Sequence, residues 1–236
     1  MPWQNNSVLV VVPARGGSKG IPRKNLQLVG GMSLVARAAS VVARLPWVDR
    51  AVLSTDDAEI ADEGARAGLA VPFMRPPSLA ADSSRSVDMW RHAWLECEAI
   101  DARRYDISIL LEPTSPLRRP EDVERTVTAL LSGDYAAAAT ISSTPAHYSP
   151  HKTLTLGNDG MVGFYLPDGA RYARRQDIPQ YYHRNGACYA VRRSTVVDQN
   201  RVMEEGCVGV VIDRPLVNID DLFDLELTEF LVSRGY

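Results

Sequence analysis

Short apolar runs alternate with amphipathic segments over the first 140 positions of the chain. The apolar runs are typical of buried strands. Between them, apolar residues recur every three to four positions, as they do on the buried face of a helix. One such helix is predicted to begin near Ser84 and another at Pro120, because proline suits a first helical turn. The predicted strands are Val8–Val12, Ala51–Ser54, Ile107–Leu111 and Tyr135–Ile141.

The pattern changes after position 141. Residues 142–180 are rich in Pro, Gly, Tyr and Arg, and contain a hairpin-like turn at Asn158-Asp159-Gly160. The alternation then resumes with predicted strands at Ala187–Val191 and Val208–Ile212 and a helix from Asp221. Strands alternating with helices predict a single α/β domain with three layers and a mainly parallel, Rossmann-like sheet. The segment 142–180 is predicted to be a small excursion inserted into this domain.

Charge and cysteine content exclude several classes of protein. The chain has 26 Lys and Arg against 29 Asp and Glu, which gives no basic surface for nucleic acid. No apolar stretch approaches the roughly 20 residues that span a bilayer. The three cysteines are widely spaced, as is usual in a reducing compartment. We therefore expect a cytoplasmic protein that binds neither nucleic acid nor a membrane.

The first predicted strand leads into a loop that combines glycines with cations. Its sequence is Pro13-Ala14-Arg15-Gly16-Gly17-Ser18-Lys19-Gly20-Ile21-Pro22-Arg23-Lys24-Asn25. Glycines let backbone amides approach a ligand, and concentrated positive charge suits a triphosphate. In an open α/β sheet, ligands bind beyond the carboxyl ends of the strands. The loop is therefore predicted to bind phosphates; the alternative is a flexible, solvated basic loop.

Two familiar phosphate-binding motifs do not fit this loop. A Walker A motif requires Gly-Lys followed by Ser or Thr, whereas Lys19 is followed by Gly20. The dinucleotide fingerprint requires Gly-x-Gly-x-x-Gly, whereas Gly16 and Gly17 are adjacent. The loop thus indicates a different kind of nucleotide-binding protein.

The loop resembles the nucleotide-binding loop of the acylneuraminate cytidylyltransferase family, the CMP-sialic acid synthetases and their bacterial legionaminate and pseudaminate relatives. Further family motifs follow in the same order: Ser54-Thr55-Asp56, Arg75-Pro76, Pro113-Thr114-Ser115-Pro116-Leu117-Arg118, Asn185-Gly186-Ala187 and Asn218-Ile219-Asp220. The resemblance covers nearly the whole chain. It implies a nucleotidyltransferase-type fold and an enzyme that condenses CTP with a nonulosonic (sialic-type) acid, giving a CMP-sugar and pyrophosphate.

The resemblance also implies roles for individual residues. The catalytic residues it implies are Arg15, Lys19, Lys24 and Asp220. Those for nucleotide binding are Ala14, Gly16, Ser18, Asn25, Arg75 and Ser86. Those for sugar binding are Glu112, Thr114, Ser115, Asn185 and Tyr189. The implied cofactor is Mg²⁺, with Asp220 and Asn218 as its protein ligands.

Two positions depart from the family pattern. Many members have Asp where this chain has Asn218, and members commonly have Gln where it has Glu112. The amide of Asn218 keeps an oxygen ligand but brings no charge. Glu112 would repel an acidic sugar unless it is protonated or meets a cation. Metal ligation, general base catalysis and a plain surface position all remain open for Glu112.

A purely structural role remains open for several of these residues. Asp220 and Asp221 can cap the last helix, Arg75 can lie on the surface, and Tyr189 can belong to the core. For the whole protein, the alternatives are a CMP-Kdo or CMP-8-amino-Kdo synthetase, acting on an eight-carbon acid, and a non-catalytic nucleotide-binding relative. Residues 142–180 resemble the dimerisation segment of the family, which implies a homodimer.

Overall fold

The order of secondary-structure elements follows the sequence pattern in the computed structural model, which describes residues 3, 5–203 and 205–236. The strands are β1 (Val8–Pro13), β2 (Leu28–Val29), β3 (Met32–Ser33), β4 (Arg50–Ser54), β5 (Ile107–Leu110), β6 (Ala137–Ser143), β7 (Leu154–Leu156), β8 (Val162–Phe164), β9 (Tyr182–Arg192) and β10 (Cys207–Val211). The helices are α1 (Leu34–Val42), α2 (Ala58–Arg66), α3 (Ser86–Asp101), α4 (Pro120–Leu131) and α5 (Leu222–Ser233). None of the described helices has the length and apolar character needed to cross a membrane.

Six strands form the central sheet, in the order β10-β6-β9-β5-β1-β4. The strand β1 pairs in parallel with β4 and β5, and β10 pairs in parallel with β6. Of these six strands, β9 alone runs antiparallel to its neighbours β5 and β6. The chain reaches β9 from β6 without a crossover helix, so the strand returns in the opposite direction. The predicted mainly parallel sheet is confirmed, with this one reversal.

The sheet is covered on both faces, so the predicted three layers are confirmed. Val8, Val10 and Val12 of β1 pack with α1, α2 and α4 on one face. Leu9 and Val11 pack with α3 on the other face. Burial on both faces explains why the strands are continuous apolar runs without alternation.

A third, smaller core cluster lies beyond the carboxyl ends of the strands. It joins the loop after β1, the β2–β3 hairpin, the start of α1 and the segment that leads into α5. Its buried members are Ile21, Val29, Leu34, Leu117, Val217 and Ile219. This cluster holds the glycine-rich loop against residues 217–220 and so determines which side chains meet there.

Between β6 and β9 the chain leaves the central sheet, within the segment predicted as an excursion. The strands β7 and β8 form a separate hairpin whose turn contains Gly160 at a φ of 79°. His151 anchors the base of the excursion: it is 6% exposed, and the Tyr181 hydroxyl lies 2.9 Å from its Nδ1. The Tyr172 ring packs on the same imidazole. The hairpin therefore projects from a fixed base.

Candidate active site

The loop after β1 is held in place by the end of β4. The amide of Ala14 donates to the Ser54 carbonyl oxygen at 3.0 Å, which continues the sheet by one residue. The amide of Gly16 then donates to Asp56 Oδ1 at 2.9 Å. A Cβ on Gly16 would lie 2.8 Å from Asp57 Oδ2, so only glycine allows this close approach. The start of the loop is thus anchored to the end of β4 and the residues that follow it.

Arg23 anchors the loop and does not line the cleft that the other loop cations share. Its guanidinium pairs with Asp57 at 2.6 Å and also with Glu59. Asp57 in turn accepts a hydrogen bond from the amide of Ile60 and caps α2. The backbone of Arg23 has a φ of 55°, the left-handed region that non-glycine residues rarely adopt. Grouping Arg23 with the phosphate-binding cations on composition alone was therefore misleading.

A cleft of about 570 Å³ opens between this loop, the segment 79–86 and residues 218–220. That volume is within the usual range for small-molecule sites. It brings together eleven of the predicted site residues: Arg15, Ser18, Lys19, Lys24, Asn25, Arg75, Ser86, Glu112, Thr114, Asn218 and Asp220. Residues from five separate stretches of sequence therefore meet at one cleft.

Lys24 joins the two walls of the cleft. Its Nζ donates to the Ile219 carbonyl oxygen at 2.8 Å and lies 3.5 Å from Asp220 Oδ1. The side chain of Lys24 is 14% exposed, against 80% for that of Lys19. At Gly20 the loop also lies close to the backbone of Asp220, because a Cβ there would clash with the Asp220 carbonyl oxygen. A charge held this way is oriented before any ligand arrives.

Asp82 holds the other two cations of the cleft. Arg15 Nη1 lies 2.8 Å from Asp82 Oδ1, and Lys19 Nζ lies 2.6 Å from Asp82 Oδ2. Hydrogen bonds from Lys19 and Arg15 hold the pKa of Asp82 below its usual range. Sequence reasoning assigned no role to Asp82, because nothing in its spacing from the loop shows that the two segments meet.

Arg75 lines the cleft together with Asn25 and Ser86. It is 6% exposed, so the alternative of a surface arginine is wrong. Its Nε donates to Ser54 Oγ at 3.0 Å, and its Nη2 donates to the Ser54 carbonyl oxygen. Burial lowers the pKa of Arg75 to about 10, which still leaves it charged at neutral pH. Asn25 closes the loop by donating to the Arg15 carbonyl oxygen at 2.9 Å.

A second cavity of about 310 Å³ adjoins the cleft. The two share four residues of their walls: Arg85, Ser86, Leu110 and Glu112. The second cavity adds Arg184 and Tyr189 from β9, and residues 200–203. Tyr189 is 8% exposed and packs with the α3 side of the core, so it is both a core residue and a cavity residue. Burial raises the pKa of Tyr189 to about 12, so its hydroxyl stays protonated.

Glu112 lies where the two cavities meet, directly after β5. Burial raises the pKa of its carboxyl, the positive charges of Arg118 and Arg184 oppose that rise, and the charge of Asp220 adds to it. The simple surface position considered for Glu112 is therefore wrong. A cation, Arg184, does lie near this carboxylate, as an acidic ligand in the second cavity would require.

The sequence matches the cytidylyltransferase family over residues 9–232. This chain belongs to the cytidylyltransferase family. It is therefore a nucleotidyltransferase, and the enzyme class and the family resemblance predicted from the loop and later motifs are confirmed.

Two relatives align with this cytidylyltransferase over nearly its whole length. The CMP-N,N'-diacetyllegionaminic acid synthase of Legionella pneumophila is 27% identical over 230 residues, 96% of each chain. The pseudaminic acid cytidylyltransferase of Campylobacter jejuni is 28% identical over 225 residues, 94% of this chain and 95% of the relative. A solved structure of CMP:2-keto-3-deoxy-manno-octonic acid (CMP-Kdo) synthetase complexed with CTP has a TM-score of 0.70 at 19% identity, covering 98% of this chain and 100% of the other. That likeness shows a shared fold.

Asn185 supports the cytidylyltransferase site without facing either cavity. Its Oδ1 accepts hydrogen bonds from Thr140 Oγ1 at 2.6 Å and from the amide of Ala187 at 3.1 Å. Its Nδ2 donates to Ser142 Oγ at 3.0 Å. These bonds span the irregular register between β6 and β9. Asn185 is 5% exposed, so its amide fixes the backbone next to Gly186; the sugar contact stays a prediction.

Three more of the predicted site residues lie outside the cleft wall. The side chain of Ala14 is fully buried in the core, and Gly16 serves the loop through its amide. Ser115 is 1% exposed, and its Oγ lies 3.1 Å from the Asn185 carbonyl oxygen and 3.3 Å from Asn218 Oδ1. Ser115 therefore positions Asn218 from within the fold.

Arg118 is a residue whose importance the sequence did not show. It is 4% exposed and donates to the carbonyl oxygens of Glu112, Gly186 and Ala187. Burial lowers its pKa to about 10. The guanidinium thereby joins the end of β5 to β9, directly beneath the wall between the cavities. The sequence placed Arg118 in a family motif but carried no signal for its burial.

Asp221, and not Asp220, caps the last helix. Asp221 Oδ1 accepts a hydrogen bond from the amide of Asp224 at 3.0 Å, as an N-cap side chain does. The side chain of Asp220 is 80% exposed and lines the cleft with Asn218. No group of three or more His, Cys, Asp or Glu side chains within the described ranges is arranged to hold a metal. Mg²⁺ needs only one or two carboxylates beside substrate phosphates, so this donor set fits it.

Replacing Asp82 by asparagine is expected to increase the affinity for CTP roughly three- to tenfold. The carboxylate competes with phosphate oxygens for Arg15 and Lys19, and an amide competes less. Isothermal titration with CTP and MgCl₂ measures the effect. Asp62→Asn is the control, because it removes one exposed carboxylate on α2 outside the cleft. Weaker binding by Asp82→Asn alone would mean that Asp82 orients the cations and does not compete with the phosphates.

Proposed function

We propose that this cytidylyltransferase condenses CTP with a nonulosonic (sialic-type) acid and releases pyrophosphate. The observation that carries the proposal is the junction at Glu112. There, a cleft built from glycine and cations opens into a second cavity lined by arginine and tyrosine. The alignment with legionaminic and pseudaminic acid enzymes over nearly the whole chain supports the same reaction.

We assign the first cleft to the nucleotide. Arg15, Lys19 and Lys24 supply positive charge for the triphosphate, and the glycines of the loop let its backbone amides approach a phosphate closely. Asn25 and Arg75 offer fixed polar groups and are assigned to the nucleoside.

The second cavity is assigned to the acidic sugar. Arg184 offers a positive charge for the sugar carboxylate and offsets the charge of Glu112. The protonated hydroxyl of Tyr189 adds a hydrogen-bonding group suited to a polyhydroxylated ligand. Because the two cavities share the wall around Ser86 and Glu112, a sugar hydroxyl in one cavity can reach a phosphate in the other.

In the proposed reaction, the anomeric hydroxyl of the sugar attacks the α-phosphorus of CTP and loses its proton. A new oxygen–phosphorus bond forms as the bond to the pyrophosphate oxygen breaks. Negative charge grows on the departing pyrophosphate, and Arg15 and Lys24 are placed to stabilise it. Asp220 and Asn218 would hold Mg²⁺, which supplies further positive charge beside the phosphates when bound.

Two competing functions are less well supported. A CMP-Kdo or CMP-8-amino-Kdo synthetase shares the fold, but the solved CMP-Kdo synthetase is 19% identical to this chain. The relatives at 27% and 28% identity carry the names of nine-carbon acids. A non-catalytic nucleotide-binding relative would not need Lys24 held against the Asp220 segment.

The deciding experiment measures pyrophosphate release from CTP and MgCl₂ with a panel of acids. The panel contains N-acetylneuraminate, legionaminate, pseudaminate, Kdo and 8-amino-Kdo. We expect turnover with a nine-carbon acid and with CTP in preference to UTP, GTP or ATP. Turnover with an eight-carbon acid alone would keep the chemistry and reject the proposed sugar. Binding of CTP without any turnover across the panel would favour the non-catalytic alternative.

We also propose that two copies of the chain associate through the β7–β8 hairpin. Leu154 pairs with Phe164 and Leu156 pairs with Val162, so all four side chains share one face. They are 52%, 45%, 73% and 65% exposed, respectively. A contiguous apolar face of this kind on a projecting hairpin is typical of a protein interface. This supports the homodimer predicted from residues 142–180.

Replacing Leu156 by aspartate is expected to convert the dimer into a monomer. The new carboxylate would lie on the apolar face, where a buried, unpaired charge is strongly unfavourable. Light scattering after size-exclusion chromatography measures the mass. Thr155→Asp is the matched control, because Thr155 pairs with Gly163 on the opposite face of the hairpin. If the wild type is monomeric at all tested concentrations, or if Leu156→Asp stays dimeric, this interface is wrong.

The cytoplasmic location stays a proposal. Cys97, Cys188 and Cys207 are all free thiols, and Cys97 and Cys188 are buried. Burial raises the pKa of both to about 12, which keeps them as unreactive thiols. Unpaired cysteines suit a reducing compartment.

A further inference from the structure

The carboxylate of Glu112 has no hydrogen-bond donor of its own. Arg118 donates to the backbone carbonyl of Glu112 and not to its side chain. Among the described residues, none donates a hydrogen bond to this carboxylate, which lines both cavities. A carboxylate placed in this way is free to pair with a ligand that carries positive charge.

A gap beside Gly186 brings Glu112 and Asn218 to the same place. Gly186 has a φ of 69°, and a Cβ on it would lie 2.9 Å from Glu112 Oε2 and 3.4 Å from Asn218 Oδ1. The two oxygens thus face one small volume, and their separation is at most the sum of these distances. The buried hydroxyl of Ser115, 3.3 Å from Asn218 Oδ1, holds the amide there.

Asp220 adds a second carboxylate to this wall of the cleft. Among the residues that the structure describes, three carboxylates line the cleft: Asp82, Glu112 and Asp220. Asp82 is already paired with Arg15 and Lys19. Asp220 Oδ1 lies 3.5 Å from Lys24 Nζ, and the side chain of Asp220 is 80% exposed, so this carboxylate is open to a metal.

We propose that Glu112 supplies the second carboxylate for Mg²⁺, together with Asp220 and the neutral oxygen of Asn218. Two carboxylates and an amide are hard oxygen ligands of the kind that Mg²⁺ prefers, and it takes its remaining ligands from phosphates and water. The inference rests on the proposed function, because those phosphates are the phosphates of CTP.

Two kinds of cation can pair with Glu112: a metal ion and an ammonium group on the sugar. The charges that line the two cavities favour the metal ion. On the sugar side, Arg184 lines the cavity and repels a cation. On the nucleotide side, Asp220 and Asn218 offer oxygen ligands to a metal, and the phosphates of bound CTP would offset the loop cations that line the same cleft. A metal is therefore favoured on the nucleotide side of Glu112.

The test uses Mn²⁺ as the probe, titrated into the whole protein with CTP and no sugar, with free Mn²⁺ followed by electron paramagnetic resonance. Glu112→Gln is expected to weaken Mn²⁺ binding about 10–100-fold. Substitutions of residues around other protein metal sites reduce metal affinity by a similar factor. The double variant Glu112→Gln with Asn218→Asp is expected to recover most of the affinity, because it returns a carboxylate to the same gap. Glu226→Gln, an exposed carboxylate on α5, is the control. Thermal melts establish that each variant is folded.

Each outcome decides the inference. Unchanged Mn²⁺ affinity in Glu112→Gln, or no Mn²⁺ binding by the wild type with CTP, overturns it. If Mn²⁺ affinity is unchanged and the separate turnover panel shows that Glu112→Gln loses its activity with 8-amino-Kdo, Glu112 belongs to the sugar site. Because no sugar is present, the result is independent of the turnover panel. Glu112-dependent Mn²⁺ binding without turnover would keep this inference and reject the proposed function.

Discussion

Replacing Arg118 by methionine is expected to lower the free energy of unfolding by about 3–5 kcal/mol. The guanidinium is buried and donates to the carbonyl oxygens of Glu112, Gly186 and Ala187. These acceptors belong to the backbone, so they stay buried and lose their partner when the side chain changes. A hydrogen bond to a charged group contributes about 1.5–3 kcal/mol, and at least two are lost. Methionine fills much of the space but supplies no donor.

Urea unfolding followed by circular dichroism measures the effect of Arg118→Met. Arg119→Met is the matched control, because Arg119 is the exposed neighbour in the same segment. We expect the control to change stability by no more than about 0.5 kcal/mol. If both variants unfold at the wild-type midpoint with the same slope, Arg118 is not what joins β5 to β9. The backbone carbonyls would then find other donors.

Replacing Lys24 by methionine is expected to lower kcat/KM by about 10²–10³-fold in the pyrophosphate assay. The ammonium group is held against the Ile219 carbonyl oxygen and near Asp220, in a largely buried position. A fixed charge with little exposure to water stabilises charge on a phosphate far more than a mobile one does. The substitution keeps most of the aliphatic side chain and removes only the charge and the donor.

Lys19→Met is the comparison for Lys24→Met, because both lysines line the same cleft. The side chain of Lys19 is 80% exposed and its partner Asp82 is 50% exposed, so the charge of Lys19 is screened by water. We expect its loss to cost about tenfold. An equal or larger effect at Lys19 would mean that Lys19 becomes ordered only when CTP binds. In that case the burial of Lys24 would be structural.

The sequence determined the layers of the fold because periodicity is local. Val8–Val12 and Ile107–Leu111 are apolar at every position or nearly so, and only strands covered on both faces have that pattern. The periodic apolar positions after Pro120 likewise identified α4. The reversal of β9 was not predicted, because strand direction depends on the path of the preceding connection and not on the pattern within the strand.

The sequence also identified eleven of the residues that line the cleft, through the loop and the motifs that match one family. It did not show what each residue does there. Asn185 was expected to contact a ligand, but its amide is used by Thr140, Ser142 and Ala187. Arg23 was grouped with the cations of the loop, yet it pairs with Asp57 outside the cleft.

By itself, then, the sequence determined the α/β architecture, the glycine-rich and cationic character of the loop, and the family. Only the tertiary structure placed Asp82 against Arg15 and Lys19, buried Arg118 beneath the cavities, and set Glu112 beside Asn218 across Gly186. The physical reason is distance along the chain. Apolar periodicity and glycine-rich turns depend on neighbouring residues, whereas hydrogen bonds and charge pairs between residues about 70 to 200 positions apart exist only after the core has packed.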